Sequence, residues 1–179
     1  MLADVVQANF PQGVTLPTCL RALCDYLDAH DYPLSGCFEI CDWGREDAEA
    51  WFPNDPTTQR QVAIFGRGST GSSYALWLVP ISNPDDAPVV LFGSEGEFIV
   101  LASNALEFCR LLGLGYSEVE YDNLAAPPDK WPETAGLRNW LAKRFSINFP
   151  ATVEEIARTA RERYPGFGDW MRQWQAENL

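Results

Sequence analysis

Apolar residues recur along this chain with two different periods. From Thr15 to His30 the stripe Leu16, Leu20, Leu23, Cys24 and Leu27 has helical spacing, and Pro17 suits a first turn. Pro33 and Gly36 then punctuate the chain. Residues Gly36 to Phe52, with Trp43 and Trp51, fit neither period, and "PNDPTT" after them is a loop. Four short β-favouring runs follow: Gln61–Phe65, Tyr74–Val79, Val89–Phe92 and Glu97–Ala102. Glycine-containing turns and the loop Ser82–Pro88 separate them, which predicts antiparallel hairpins. Helical spacing returns after Ser103, the expected N-cap. Leu106, Cys109 and Leu112 form one stripe, and Gly113 and Gly115 close the helix.

Tyr116–Leu124 is compatible with a short helix or an extended segment, and "AAPPDKWP" (Ala125–Pro132) reads as a stiff linker. Beyond it, Leu137, Trp140, Leu141 and Phe145 share a helical face. Thr152 and Glu155 form a capping box opening a helix that carries Val153, Ile156, Ala157, Ala160 and Tyr164. Pro165 and Gly166 break it, and Trp170–Trp174 suggests a last short helix. The expected class is α+β: a twisted, mainly antiparallel sheet of four or more strands flanked by helices. Residues 1–124 form the core, and 125–179 a helical extension packed on or beside it.

One stretch, "GRGSTG", matches G-x-G-x-x-G at Gly66, Gly68 and Gly71. A dinucleotide fingerprint needs a helix after the glycines, because the helix N-terminus binds the pyrophosphate. Here "YALWLV" follows, which is aromatic, apolar and β-favouring. The glycines are therefore read as a hairpin connection, and a nucleotide-dependent enzyme stays only as a remote alternative.

Charge narrows the partners. Thirteen Lys and Arg against twenty-five Asp and Glu leave the 179-residue chain at −12. Nucleic acid and anionic membranes are disfavoured, since both need a basic face, and a basic protein partner is favoured. No apolar run reaches the ~18 residues of a membrane span. "MLADVVQANF" lacks a signal peptide's basic and apolar regions, so a cytoplasmic location is expected. Five cysteines without a C-x-x-C pair argue against a disulfide framework. Cys37 and Cys41 with the single His30 make a poor zinc set, so no metal or cofactor is expected.

Candidate contacts for a basic partner are Trp43, Glu46, Asp47, Glu49 and Trp51, an acidic group between aromatic anchors, together with Asp85 and Asp86 in the inter-strand loop. The plainer reading makes the tryptophans core residues and the aspartates turn formers. Glu95 and Glu97 flank a turn glycine, with nothing beside them to tune a pKa for acid–base work. Ser69, Ser72 and Ser73 lack a persuasive triad, and Cys109 falls on the buried stripe.

The order of elements carries a family resemblance. "VAIFGRGSTGSSYALWLV", then "APVVLFGSEGEFIVLASNALEFCRLLGLGY", with "LPTCLRALCDYL" ahead of both, resembles the SUKH superfamily over Leu16–Tyr121. That group includes yeast cell-wall glucan-synthesis regulators and bacterial immunity proteins. In the first hairpin turn, where the family often has an acidic residue, this chain has Ser72 and Ser73. The resemblance implies an α+β fold without catalysis. It also implies binding to a toxin domain, often a nuclease, or alternatively to a host protein as a regulator or scaffold.

Overall fold

The structure is a computed structural model, and it describes residues 1–30, 37–81, 83–129 and 134–179. Pro33, Gly36 and the Lys130–Pro132 end of the expected linker lie outside the described residues. The elements in chain order are α1 (Leu2–Asn9), α2 (Thr18–Ala29), β1 (Glu39–Ile40), α3 (Gly44–Trp51) and α4 (Pro56–Gln59). Strands β2 (Val62–Arg67), β3 (Ser73–Trp77), β4 (Val89–Phe92) and β5 (Phe98–Ala102) follow. The remaining helices are α5 (Ala105–Leu112), α6 (Thr134–Phe145), α7 (Val153–Arg163) and α8 (Phe167–Asn178). The fold is α+β.

The five strands form one antiparallel sheet in sequential order, β1-β2-β3-β4-β5. Strand residues alternate faces, and here both faces are covered. Phe65, Tyr74, Leu76, Val89 and Leu91 join one apolar layer with α1, α2, α5 and α6. Ile64, Ala75, Trp77, Val90 and Phe92 join the other with Phe52 and α8. The central strands are therefore buried along nearly their whole length, unlike a sheet with one wet face. Helix α7 contributes Val153, Ile156 and Ala157 to the first layer and Ala160 to the second. It lies across the β5 edge, one way a fold protects unpaired backbone.

The pattern places most elements and misplaces some boundaries. Leu20, Leu23, Cys24 and Leu27 are buried on α2, as their spacing predicts. Asn104, rather than Ser103, caps α5: its backbone is extended and its side chain accepts from Glu107 N–H at 2.9 Å. Glu155 Oε1 accepts from Thr152 N–H at 3.2 Å, the return bond of the expected capping box. The last helix is longer than its aromatic pair suggested, with Phe167, Met171 and Trp174 all buried.

The segment that fitted neither period holds the two-residue β1 and helix α3. Its Gly44 is required by packing, because a Cβ there would lie 2.1 Å from the backbone oxygen of Ile64. Helix α3 thus sits directly on β2. The C-terminal helices are tied to the rest by polar latches. Val153 N–H donates to Tyr116 OH at 3.1 Å, and Trp174 Nε1 donates to Asp55 Oδ2 at 2.8 Å.

Candidate functional site

The glycine stretch is the turn of the β2–β3 hairpin. Gly68 N–H donates to Ser72 O at 2.9 Å, and Gly71 takes a φ of +94°, which glycine adopts without strain. Gly66 lies within β2 opposite Tyr74, where a Cβ would fall 2.2 Å from the Phe38 ring. Strand β3 follows these glycines, where a dinucleotide fingerprint would have a helix.

Register then defines one end of the molecule. Glu39 pairs with Arg67, Arg67 with Ser73, Ser73 with Phe92, and Phe92 with Phe98. That row crosses all five strands, a width of about 19 Å at ordinary strand spacing. Past it lie the two hairpin turns, 68–72 and 93–97. Residues 117–122 brace both of them. Ser69 Oγ donates to Glu118 at 2.8 Å and Thr70 Oγ1 to Glu120 at 2.6 Å. Ser94 donates its N–H to Glu120 at 2.7 Å, and its Oγ lies 2.7 Å from Tyr121 OH. Burial alone would raise the pKa of Glu120, but the bonds from Thr70 and Ser94 outweigh it and hold the carboxyl below its usual range. A Cβ built on Gly93 would lie 2.8 Å from Glu97 Oε2 and 3.1 Å from Glu120 Oε1. These two carboxylates therefore lie within about 6 Å of each other.

On the helix-bearing flank of the same end stand α3 and Arg67. The guanidinium forms a two-pronged bond to Asp47, with Nε 2.7 Å from Oδ2 and Nη2 on Oδ1. It also lies over the Trp43 ring, 5.2 Å from its centroid. Trp43 is 46% exposed and Tyr121 is 52% exposed, two of the few large apolar side chains open to solvent.

The expected contact residues are thus divided among four settings. Trp43 and Glu46 are exposed at this end. Asp47 is buried and paired with Arg67, and Trp51 is half-buried on Phe92 and Phe98 with its Nε1 donating to Ser73 Oγ at 3.3 Å. Glu49 lines a cavity of about 260 Å3 between the end of α1, α3 and α4, where Arg45 donates to Ala8 O. Asp85 and Asp86 lie beyond the other end of β3. Asp85 accepts from Thr18 N–H at 2.9 Å, holding the start of α2, and Asp86 accepts from Asn83. Asp47, Trp51 and Asp85 each have a partner within the chain.

Sequence reasoning did not single out Glu118, Glu120 and Tyr121, because nothing in "YSEVEYDNL" indicates that it folds back over two hairpins. Among the described residues, His30, Ser69 and Ser73 each have partners outside any triad. His30 stacks on Tyr26 and binds its carbonyl, while Ser69 and Ser73 take other partners. Burial pushes the thiols of Cys24 and Cys41 up to about 12 and about 11, which leaves them protonated at neutral pH. Among the described residues, no group of three or more His, Cys, Asp or Glu is placed to hold a metal ion, and no helix is long and apolar enough to cross a membrane.

Charge is unevenly spread. Residues 1–129 hold nineteen acidic and five basic side chains, a net −14, whereas 134–179 hold five acidic and seven basic, a net +2. The fold and this end together define an α+β protein with an acidic, aromatic-flanked face and two-sided helical cover. No family model, curated protein or solved structure matches the chain.

Proposed function

We propose that this chain is a non-enzymatic binding protein of the SUKH kind, an intracellular immunity protein that occludes a basic, nuclease-type toxin domain. The observation that carries this reading is the concentration of carboxylates without cationic partners among the described residues at the hairpin end, flanked by exposed Trp43 and Tyr121. A nuclease presents a basic cleft to its substrate, and a complementary field accelerates encounter and selects against acidic competitors. Solvent-exposed aromatic side chains beside those charges supply the apolar contact that charge alone lacks. Trp43 and Glu46 belong to this face, while Asp47 supports it by holding Arg67 in place.

The test is binding and inhibition with a co-encoded nuclease toxin domain, by calorimetry and by a nuclease assay, at low and high salt. The expected result is a 1:1 complex that blocks nuclease activity and weakens as salt screens the charges. Failure both to bind and to protect against every co-encoded toxin domain refutes the proposal. Capture of a host protein in cells that carry no toxin gene would favour the regulator or scaffold role.

A further inference from the structure

Glu95, Glu97, Glu118, Glu120 and Asp122 gather on the second hairpin turn and the segment that braces both turns. None forms an ion pair with Lys or Arg among the described residues. The carboxylates differ in what they do. Glu120 and Glu118 accept hydrogen bonds from Thr70, Ser94 and Ser69 and so hold the turns together. The Glu97 side chain accepts none from the described residues, yet its Oε2 faces Glu120 Oε1 across the bare backbone of Gly93.

Beneath these oxygens lie two fully buried hydroxyls without a hydrogen-bond partner, Ser72 Oγ and Tyr74 OH. Such groups are rare in folded proteins, because an unpaired buried donor or acceptor is costly. Ser72 Oγ lies against Glu120 in a geometry that falls short of a good hydrogen bond, though it still helps to keep that carboxyl ionised. The negative charges of Glu118 and Glu120 reach the Tyr74 hydroxyl and add to burial in raising its pKa. Gly68 covers Ser72 with backbone alone: a Cβ there would lie 2.3 Å from Oγ.

Two facing carboxylates without a cation, above a hydroxyl without a donor, complement a planar cation that carries several N–H groups. We infer that the hairpin end seats an arginine side chain of the partner, with its guanidinium between Glu97 and Glu120 above Gly93, on the side of the Glu120 carboxylate that no cation among the described residues occupies. Arginine fits better than lysine, because its rigid fork addresses two carboxylates at once. A metal ion fits less well, because among the described residues no three His, Cys, Asp or Glu side chains are placed to hold one. The inference rests on the reading that the partner is a basic protein, and it names the group that this face takes.

The experiment is an NMR titration of the full 15N-labelled chain with N-acetyl-arginine methylamide. The citrulline analogue, which has the same shape without the charge, is the control, and calcium is titrated separately. Saturable shifts are expected at the amides of Gly68, Gly71, Ser94 and Gly96. Citrulline should leave them unmoved. Glu97→Gln should weaken the arginine effect about fivefold, and Glu95→Gln should change it less than about twofold. Equal response to citrulline, no effect of Glu97→Gln, or calcium acting at lower concentration than arginine overturns the seat. A toxin domain separates the two readings. Toxin bound equally by wild type and Glu97→Gln removes the seat and keeps the function. Arginine bound here by a chain that binds no toxin keeps the seat and removes the function.

Discussion

Replacing Arg67 with alanine should destabilise this protein more than replacing its partner Asp47, although both changes break the same ion pair. The pair is lopsided: the Asp47 side chain is 8% exposed, while that of Arg67 is 41% exposed. Removing the guanidinium leaves a buried carboxylate without a counter-charge, a defect that costs about 3–5 kcal/mol when the partner is fully buried. Arg67 is partly wet, which places the expected cost near the lower bound, about 3 kcal/mol. Removing Asp47 leaves a guanidinium that keeps its water and the face of Trp43. That change should cost about 1–2 kcal/mol. The double variant should resemble Asp47→Ala alone, with a coupling energy of about 3 kcal/mol, the cost of Arg67→Ala itself. Urea unfolding followed by tryptophan fluorescence measures all four corners of the cycle. Equal costs for the two single variants, or strict additivity, would refute the account of a buried carboxylate held by a half-exposed arginine.

Three further expectations concern the frame around that pair. Gly44→Ala should cost about 3 kcal/mol in urea unfolding, because its Cβ meets the backbone oxygen of Ile64 and no side chain can turn aside. Phe92→Ala should cost about 3–5 kcal/mol by the same measurement, since its fully buried ring contacts Trp51, Phe52, Phe98 and Phe167. Asp55 is held at about 2, below its ordinary 3.8, by the Thr58 side chain first, then Trp174 and the Thr57 and Thr58 amides. Because the folded pKa is depressed, its contribution is complete above about pH 4 and is lost as pH falls towards 2. Thermal melts of wild type and Asp55→Asn should therefore differ at pH 6 and converge near pH 2.

The central strands and helices α2, α5 and α7 were legible because each buries an apolar stripe of the right period. Tyr74 and Leu76 point to one layer, and Ala75 and Trp77 to the other. Two kinds of element were not legible. Helix α1 buries only Ala3 and Val6 within its span, too few for a period to emerge. Helix α3 buries Gly44, Asp47 and Ala48, so its core-facing side reads as polar in sequence. Its buried aspartate makes sense only beside Arg67, twenty residues on, and that pairing depends on the β1–β2 register. The acidic face has the same character. Glu97 and Glu120 are far apart in sequence and face each other because Tyr116 and Asp122 fold the brace back. Tyr116 OH donates to Ala126 O at 2.5 Å, and Asp122 accepts from the Ser117 and Glu118 N–H groups, each at 3.0 Å. Those are local bonds between polar groups, which leave no trace in hydrophobic period.

Solubility alone is a poor account of this charge. A small domain stays in solution with mixed charges dispersed over its surface. Here the helices of residues 134–179 carry a slight positive excess, and the negative excess falls entirely in residues 1–129. Glu97 and Glu120 lie close enough to repel, and no cation among the described residues relieves them. Hairpin turns need glycine for backbone conformation and tolerate many polar residues elsewhere, so turn geometry does not demand glutamates at these positions. The sheet itself gains nothing from them, since its strands are already buried on both faces and its β5 edge is covered by α7. Repulsion that the fold does not require is relieved when an external cation docks. An arginine set between these carboxylates would supply the counter-charge that neither has from the described residues.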